Sequence, residues 1–144
     1  MSRSLIQLSN QSPQDVAEGG IIALGSVQRR YGCNLRLSGN GVEVEGAGYY
    51  DIDIAVTVEP GTVGAVTVSA YKNGVQIPGA IAYGYVGTVD EPVTLPIVAT
   101  IRQNCCDGAD NITCVLVENA GTVTNISTRI KLLSYIRKWN MENK

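Results

Sequence analysis

Hydrophobic and polar residues alternate strictly from Gly48 to Val58. Tyr50, Ile52, Ile54, Val56 and Val58 fall on one side, and Tyr49, Asp51, Asp53, Ala55 and Thr57 on the other. Successive side chains of a strand point to opposite faces, so this period of two builds one apolar face and one small or acidic face. A helix would scatter the same residues around its circumference. So long a run suits the middle of a large sandwich sheet.

The rest of the chain repeats the pattern in shorter pieces. Leu5 to Leu8, Ile21 to Val27, Asn34 to Ser38 and Val42 to Glu45 read as strands, and Ser12 to Glu18 as a turn with one helical turn capped by Ser12. Glu59-Pro60-Gly61 ends the long strand, and Val63 to Lys72 follows. Asn73-Gly74 is a strong hairpin signal, because both central positions of such a turn need positive φ. Val75 to Ile77, Ala80 to Val86, Val93 to Gln103, Ile112 to Glu118 and Thr122 to Leu132 complete the set. Pro78-Gly79 is expected to stop a strand, and Pro96 assigns its strand to an edge or a bulge. Beyond Leu132 the spacing of Leu133, Ile136 and Trp139 fits a strand to about Tyr135 and then a loose or helical end. These eleven segments, the shortest of them marginal, amount to roughly nine or ten short strands with no helix of normal length between them. That predicts an all-β, two-sheet antiparallel sandwich and excludes parallel βαβ folds.

Composition narrows the chemistry more than the fold. A chain of 144 residues, 44% hydrophobic and 17% charged, is one globular domain large enough to bury a core. With no Phe, that core rests on Val, Ile, Leu and seven Tyr. A formal net charge of -2 offers no general attraction for phosphate backbones, and no segment has the run of about 20 apolar residues that spans a bilayer. Neither nucleic acid nor membrane is therefore an expected partner. The polar N-terminus shows no signal peptide, so the protein is expected to be made in a cytoplasm and either to stay there or to leave by cell lysis.

With no His, the commonest general base and metal ligand is missing. Cys33, Cys105, Cys106 and Cys114 form no C-x-x-C, so neither a zinc site nor a catalytic thiol is expected, and the chain reads as no enzyme, with no cofactor and no metal. A disulfide from Cys105 or Cys106 to Cys114 and reduced, buried thiols both fit the spacing. Asp107, Asp110 and Asn111 match no complete calcium loop and read as solvated turn residues. Tyr83 and Tyr85 share a strand face beside Gly84 and Gly87, as a subunit contact or a sugar-stacking platform would.

The order of elements resembles the jelly roll of the tumour-necrosis-factor and complement-globular-head superfamily. Gly20-Ile21-Ile22-Ala23-Leu24 is similar to an early family strand, and Val42-Glu43-Val44 leads to Gly48-Tyr49-Tyr50, similar to the Gly-x-Tyr that opens the third major strand. Val66 to Gly74 is similar to the family hairpin ending in Asn-Gly, and Ile126 to Leu132 to its terminal strand. The resemblance implies a jelly roll of about ten strands over residues 19–136, with 1–18 as a possible tether and 137–144 as a tail. It implies a homotrimer with Tyr49, Asp51 and Asp53 turned toward the axis or a neighbouring subunit. Arg129 and Lys131, on a neighbouring strand in that family, would offset the carboxylates. It also implies a trimeric structural module of the kind found in phage fibre heads, head decorations and bacterial surface filaments, joined to a capsid or fibre stalk through its N-terminus. A carbohydrate-binding jelly roll that meets a cell-surface glycan through Tyr83 and Tyr85 is the alternative.

Overall fold

A computed structural model describes residues 4–103 and 109–135. All of its regular elements are strands: β1 (Leu5–Asn10), β2 (Gln14–Val16), β3 (Gly20–Ile22), β4 (Ser26–Tyr31), β5 (Leu35–Ser38), β6 (Gly41–Val44), β7 (Gly48–Pro60), β8 (Gly64–Lys72), β9 (Val75–Val86), β10 (Val93–Gln103), β11 (Asp110–Glu118) and β12 (Gly121–Tyr135). They form two six-stranded antiparallel sheets. The first, sheet A, runs β10-β7-β12-β1-β4 with β2 also on β12, and the second, sheet B, runs β5-β6-β11-β8-β9 with β3 also on β11.

The long alternating run is β7, and every second residue from Tyr50 to Val58 is buried. Its neighbours continue the inward face in rows across the sheet. Ile97, Ile54, Thr128 and Leu8 form one row, and Leu95, Val56 and Ile126 the next. Sheet B closes the core with Val42, Val66, Val68, Ile112, Cys114 and Leu116. The aliphatic composition suits such a sandwich, because β-branched side chains pack well on pleated surfaces. Pro96 lies on β10, an edge strand, where a missing N–H costs no ladder bond on the open side.

Four local expectations are corrected. Residues 14–16 are strand, not helical turn. The strand expected over Ile21 to Val27 is two strands in different sheets. Gly25 separates them at φ 88, where a side chain would collide with the Ser9 carbonyl, so the chain crosses between layers there. Pro78-Gly79 does not stop its strand. β9 continues through a register irregularity between Ser69 and Tyr71 on β8, near Gly79 at φ 82. Finally, the boundary at residue 18 is not a domain edge. β1 is paired on both sides, with β12 and with β4, so residues 5–16 belong to the sandwich and are not a tether. The tail 137–144 lies outside the described residues.

One end of the sandwich is held by a buried polar knot. The Tyr50 hydroxyl lies 2.8 Å from both the Glu45 and the Gly46 carbonyl and shares its one proton between them. Asn34 Nδ2 donates to the Glu45 carbonyl at 2.7 Å, and the Ser4 hydroxyl donates to Asn34 Oδ1 at 2.7 Å. Two residues earlier, Gly48 packs so tightly on β12 that a Cβ would stand 2.6 Å from the Ser134 carbonyl oxygen. Gly-x-Tyr is thus a close backbone approach followed by a buried anchor.

Tyr50→Ala is expected to cost about 3–5 kcal/mol by denaturant unfolding, and Tyr50→Phe only about 1 kcal/mol, because the first empties the core and the second removes hydrogen bonds alone. The Thr128 hydroxyl is buried without a partner among the described residues. Thr128→Val is therefore expected to raise stability by about 1 kcal/mol, read from the same titrations.

Candidate functional site

The outward residues of β7 and β12 lie on one open sheet face. In register, Lys131, Asp51 and Thr100 form one row, and Gln7, Arg129, Asp53 and Val98 the next. Arg129 Nη2 meets Asp53 Oδ2 at 2.6 Å. The short contact to Asp51 comes from the Thr100 hydroxyl at 3.0 Å, with Lys131 opposite in register. Below these charges runs a row of small side chains, Ser9, Ser127, Ala55 and Pro96. The result is a shallow hollow of about 300 Å³ floored by Ala55 and Ser127 and rimmed by Asp53 and Arg129. Tyr49 at 42% exposure and Val98 at 66% add apolar surface. The five sequence candidates Tyr49, Asp51, Asp53, Arg129 and Lys131 therefore share one face of sheet A.

The other candidates are elsewhere. Tyr83 and Tyr85 stand on the outward face of β9, the edge of sheet B, and each is 72% exposed. They lie opposite Thr67 and Ala65. Thr67 donates to Glu118 Oε1 at 3.1 Å, and the Asn119 backbone N–H donates to Glu18 Oε1 at 2.9 Å. Glu18, Glu118, Thr62, Val63 and Ala65 line a second hollow of about 550 Å³ beside the tyrosines. Sequence reasoning missed Glu18 and Glu118, since only the long-range pairing of β11 with β3 and with β8 brings them there.

Asp110 is not a solvated turn residue. It is buried at the start of β11, accepts from Asn73 Nδ2 at 2.7 Å and pairs with Lys72 at 3.2 Å. The Asn73 side-chain oxygen in turn accepts the Asn111 backbone N–H at 2.8 Å, tying the β8–β9 turn to the neighbouring strand. Asn73 at φ 52 and Gly74 at φ 81 give the tight hairpin the sequence announces. Among the described residues no group of three or more His, Cys, Asp or Glu is placed to hold a metal ion.

No family model and no curated protein matches this sequence. Solved structures do. The globular domain of zebrafish complement 1qA protein superposes with a TM-score of 0.72 at 6% identity, over 92% of this chain and 99% of that one. Eiger TNF from S. frugiperda follows at 0.69 and 9% identity, over 94% of each chain. The PRD1 vertex protein P5 matches at 0.62 and 13% identity, over 91% and 97% respectively. The fold is the tumour-necrosis-factor-like jelly roll. Identities this low speak for the fold alone.

Within this jelly roll, Cys114 is a free thiol buried between the sheets, with Ile22 and Ala70 as its register neighbours. Of the two readings the spacing allowed for Cys114, the structure shows the reduced, buried thiol, whose side chain points into the apolar core. Cys105 and Cys106 lie outside the described residues. Burial pushes the Cys114 thiol up to about 12, whereas Cys33 is free and exposed. Only the thiolate attacks alkylating reagents, so at pH 8 iodoacetamide should label Cys33 in the native protein and reach Cys114 only after denaturation. Peptide mass mapping checks this, and equal labelling of both before unfolding would contradict the buried placement.

Proposed function

We propose that the protein is a non-enzymatic homotrimeric structural module used for attachment on a virion or another extracellular surface. The observation that carries this reading is the outer face of sheet A. Its centre is a row of small side chains, which lets a second subunit approach closely. Around it Asp51 and Asp53 on β7 stand beside Arg129 and Lys131 on β12 and Arg29 on β4, so in the head-to-tail contacts of a three-membered ring the acidic strand of one copy can oppose the basic strand of the next. Exposed Tyr49, Val98 and Leu133 supply apolar area for the same contact. The likeness of the fold to the PRD1 vertex protein P5 supports a particle-surface role. Attachment by a trimer multiplies weak contacts, which suits a chain that offers surfaces and no catalytic constellation. A capsid or fibre stalk remains the proposed partner on the N-terminal side.

Light scattering on the purified protein tests the assembly. Three times 15.3 kDa is the expected mass, and a 15.3 kDa species would remove the trimer. Val98→Arg and Ala55→Arg, both at the proposed contact, should yield folded monomers by the same measurement. Asp53→Ala should lower the melting temperature, and an unchanged value would mark that face as wet.

A further inference from the structure

We propose that the Tyr83–Tyr85 pair and the hollow beside it form a binding site for a neutral oligosaccharide. The proposal deepens the attachment reading, on which it rests, by giving the chemistry of what is attached to. Its basis lies on the outer face of sheet B, away from the face proposed for assembly.

Tyr83 and Tyr85 are the most exposed aromatic residues of the described chain at 72% each. They are two residues apart on one strand face, which sets them about 7 Å apart. Gly84, between them, faces the core against Leu95 and Val66, so nothing on β9 interrupts the pair. Across the ladder from Tyr85 stands Ala65, too short to cover the ring, and Ala65 is also a wall of the 550 Å³ hollow. Ala65 therefore borders both the platform and the hollow. On the far side stand two carboxylates. Each has one oxygen fixed by a protein donor, Thr67 for Glu118 and the Asn119 N–H for Glu18. No donor among the described residues engages the second oxygen of either.

The occupant follows from those two requirements. The exposed rings gain by covering apolar C–H surface. The free carboxylate oxygens need O–H or N–H donors and penalise any ligand that buries them unpaired. An apolar protein surface meets the first requirement and fails the second. Nucleic acid and anionic lipid are repelled by Glu18 and Glu118. A cation would be held best by rings arranged around it as a cage, whereas two tyrosines on one strand face make a flat platform. A neutral pyranose meets both needs, with a face of C–H groups to stack and a rim of hydroxyls to donate.

Saturation-transfer NMR with cellotriose, chitotriose and lactose tests the site on the full chain. At least one sugar should show transfer to the parent protein. Tyr83→Ala and Tyr85→Ala should each weaken it by about tenfold, equivalent to about 1.4 kcal/mol per site. Glu118→Gln should weaken it less, and Val75→Ala, an exposed change at the other end of β9, should leave it intact. Circular dichroism of each variant separates lost binding from lost fold. Absence of transfer from all three sugars overturns the proposal. So does binding that survives both tyrosine variants, or preferential binding of an oligolysine peptide. Mass measured on the same samples keeps the two readings apart. A 15.3 kDa species that binds sugar retires the trimer and keeps this site, while a trimer that binds none does the reverse.

Discussion

The structure depends on one strand having neighbours on both edges and cover on one face. β7 lies between β10 and β12, and its buried residues Tyr50, Ile52, Ile54, Val56 and Val58 meet inward side chains of both. A shift of one residue in either ladder would turn this stripe to solvent and bring Asp51 and Asp53 into the core. The cost of burying unpaired carboxylates makes that slip far more expensive than the loss of a few hydrogen bonds. The polar outer face of β7 is therefore part of what specifies the register, whatever else it binds.

The ends of the sheets are held by a different device. Asn34, Asn73 and Asn119 each lend a side-chain amide to backbone groups or side chains of a distant strand or turn. Asn34 Nδ2 reaches the Glu45 carbonyl, Asn73 Oδ1 the Asn111 N–H, and Asn119 Nδ2 the Thr62 carbonyl at 2.9 Å. An Asn side chain carries a donor and an acceptor much as a peptide unit does, so it can extend a ladder where the chain has turned away. Asn73 and Asn119 also adopt φ 52 and φ 73, values that Asn tolerates better than most residues. The same residue type thus makes the turn and ties it down.

Legibility followed the range of the interactions. β7, the Asn73-Gly74 hairpin, the edge position of Pro96 and the sandwich class were readable because alternation, turn chemistry and a missing N–H are local. The five candidates on sheet A shared a face because strand parity alone puts Asp51 beside Asp53 and Arg129 beside Lys131. What escaped was set by partners far away. The Ile21 to Val27 run looked continuous because nothing local reveals that Gly25 must pass the Ser9 backbone. Residues 5–10 are too short a strand to declare themselves central, and only β12, more than a hundred residues later, makes them so. Asp110 looked like a loop residue because its partners, Lys72 and Asn73, arrive from another hairpin. Glu18 and Glu118 were silent for the same reason.

The two open faces differ in a way that follows from this construction. On sheet A, β7 presents the acids and β12 the bases within one patch, which suits a head-to-tail contact between copies of the chain. On sheet B the exposed end sets aromatic rings near the hollow of Glu18 and Glu118, which no cation lines among the described residues. Such a surface is poorly suited to meet itself, since two copies would oppose like charges. On the readings proposed above, one face then assembles and the other faces outward. The sandwich permits that division because each sheet turns only one side to the shared core, leaving the chemistry of the two outer sides free to diverge.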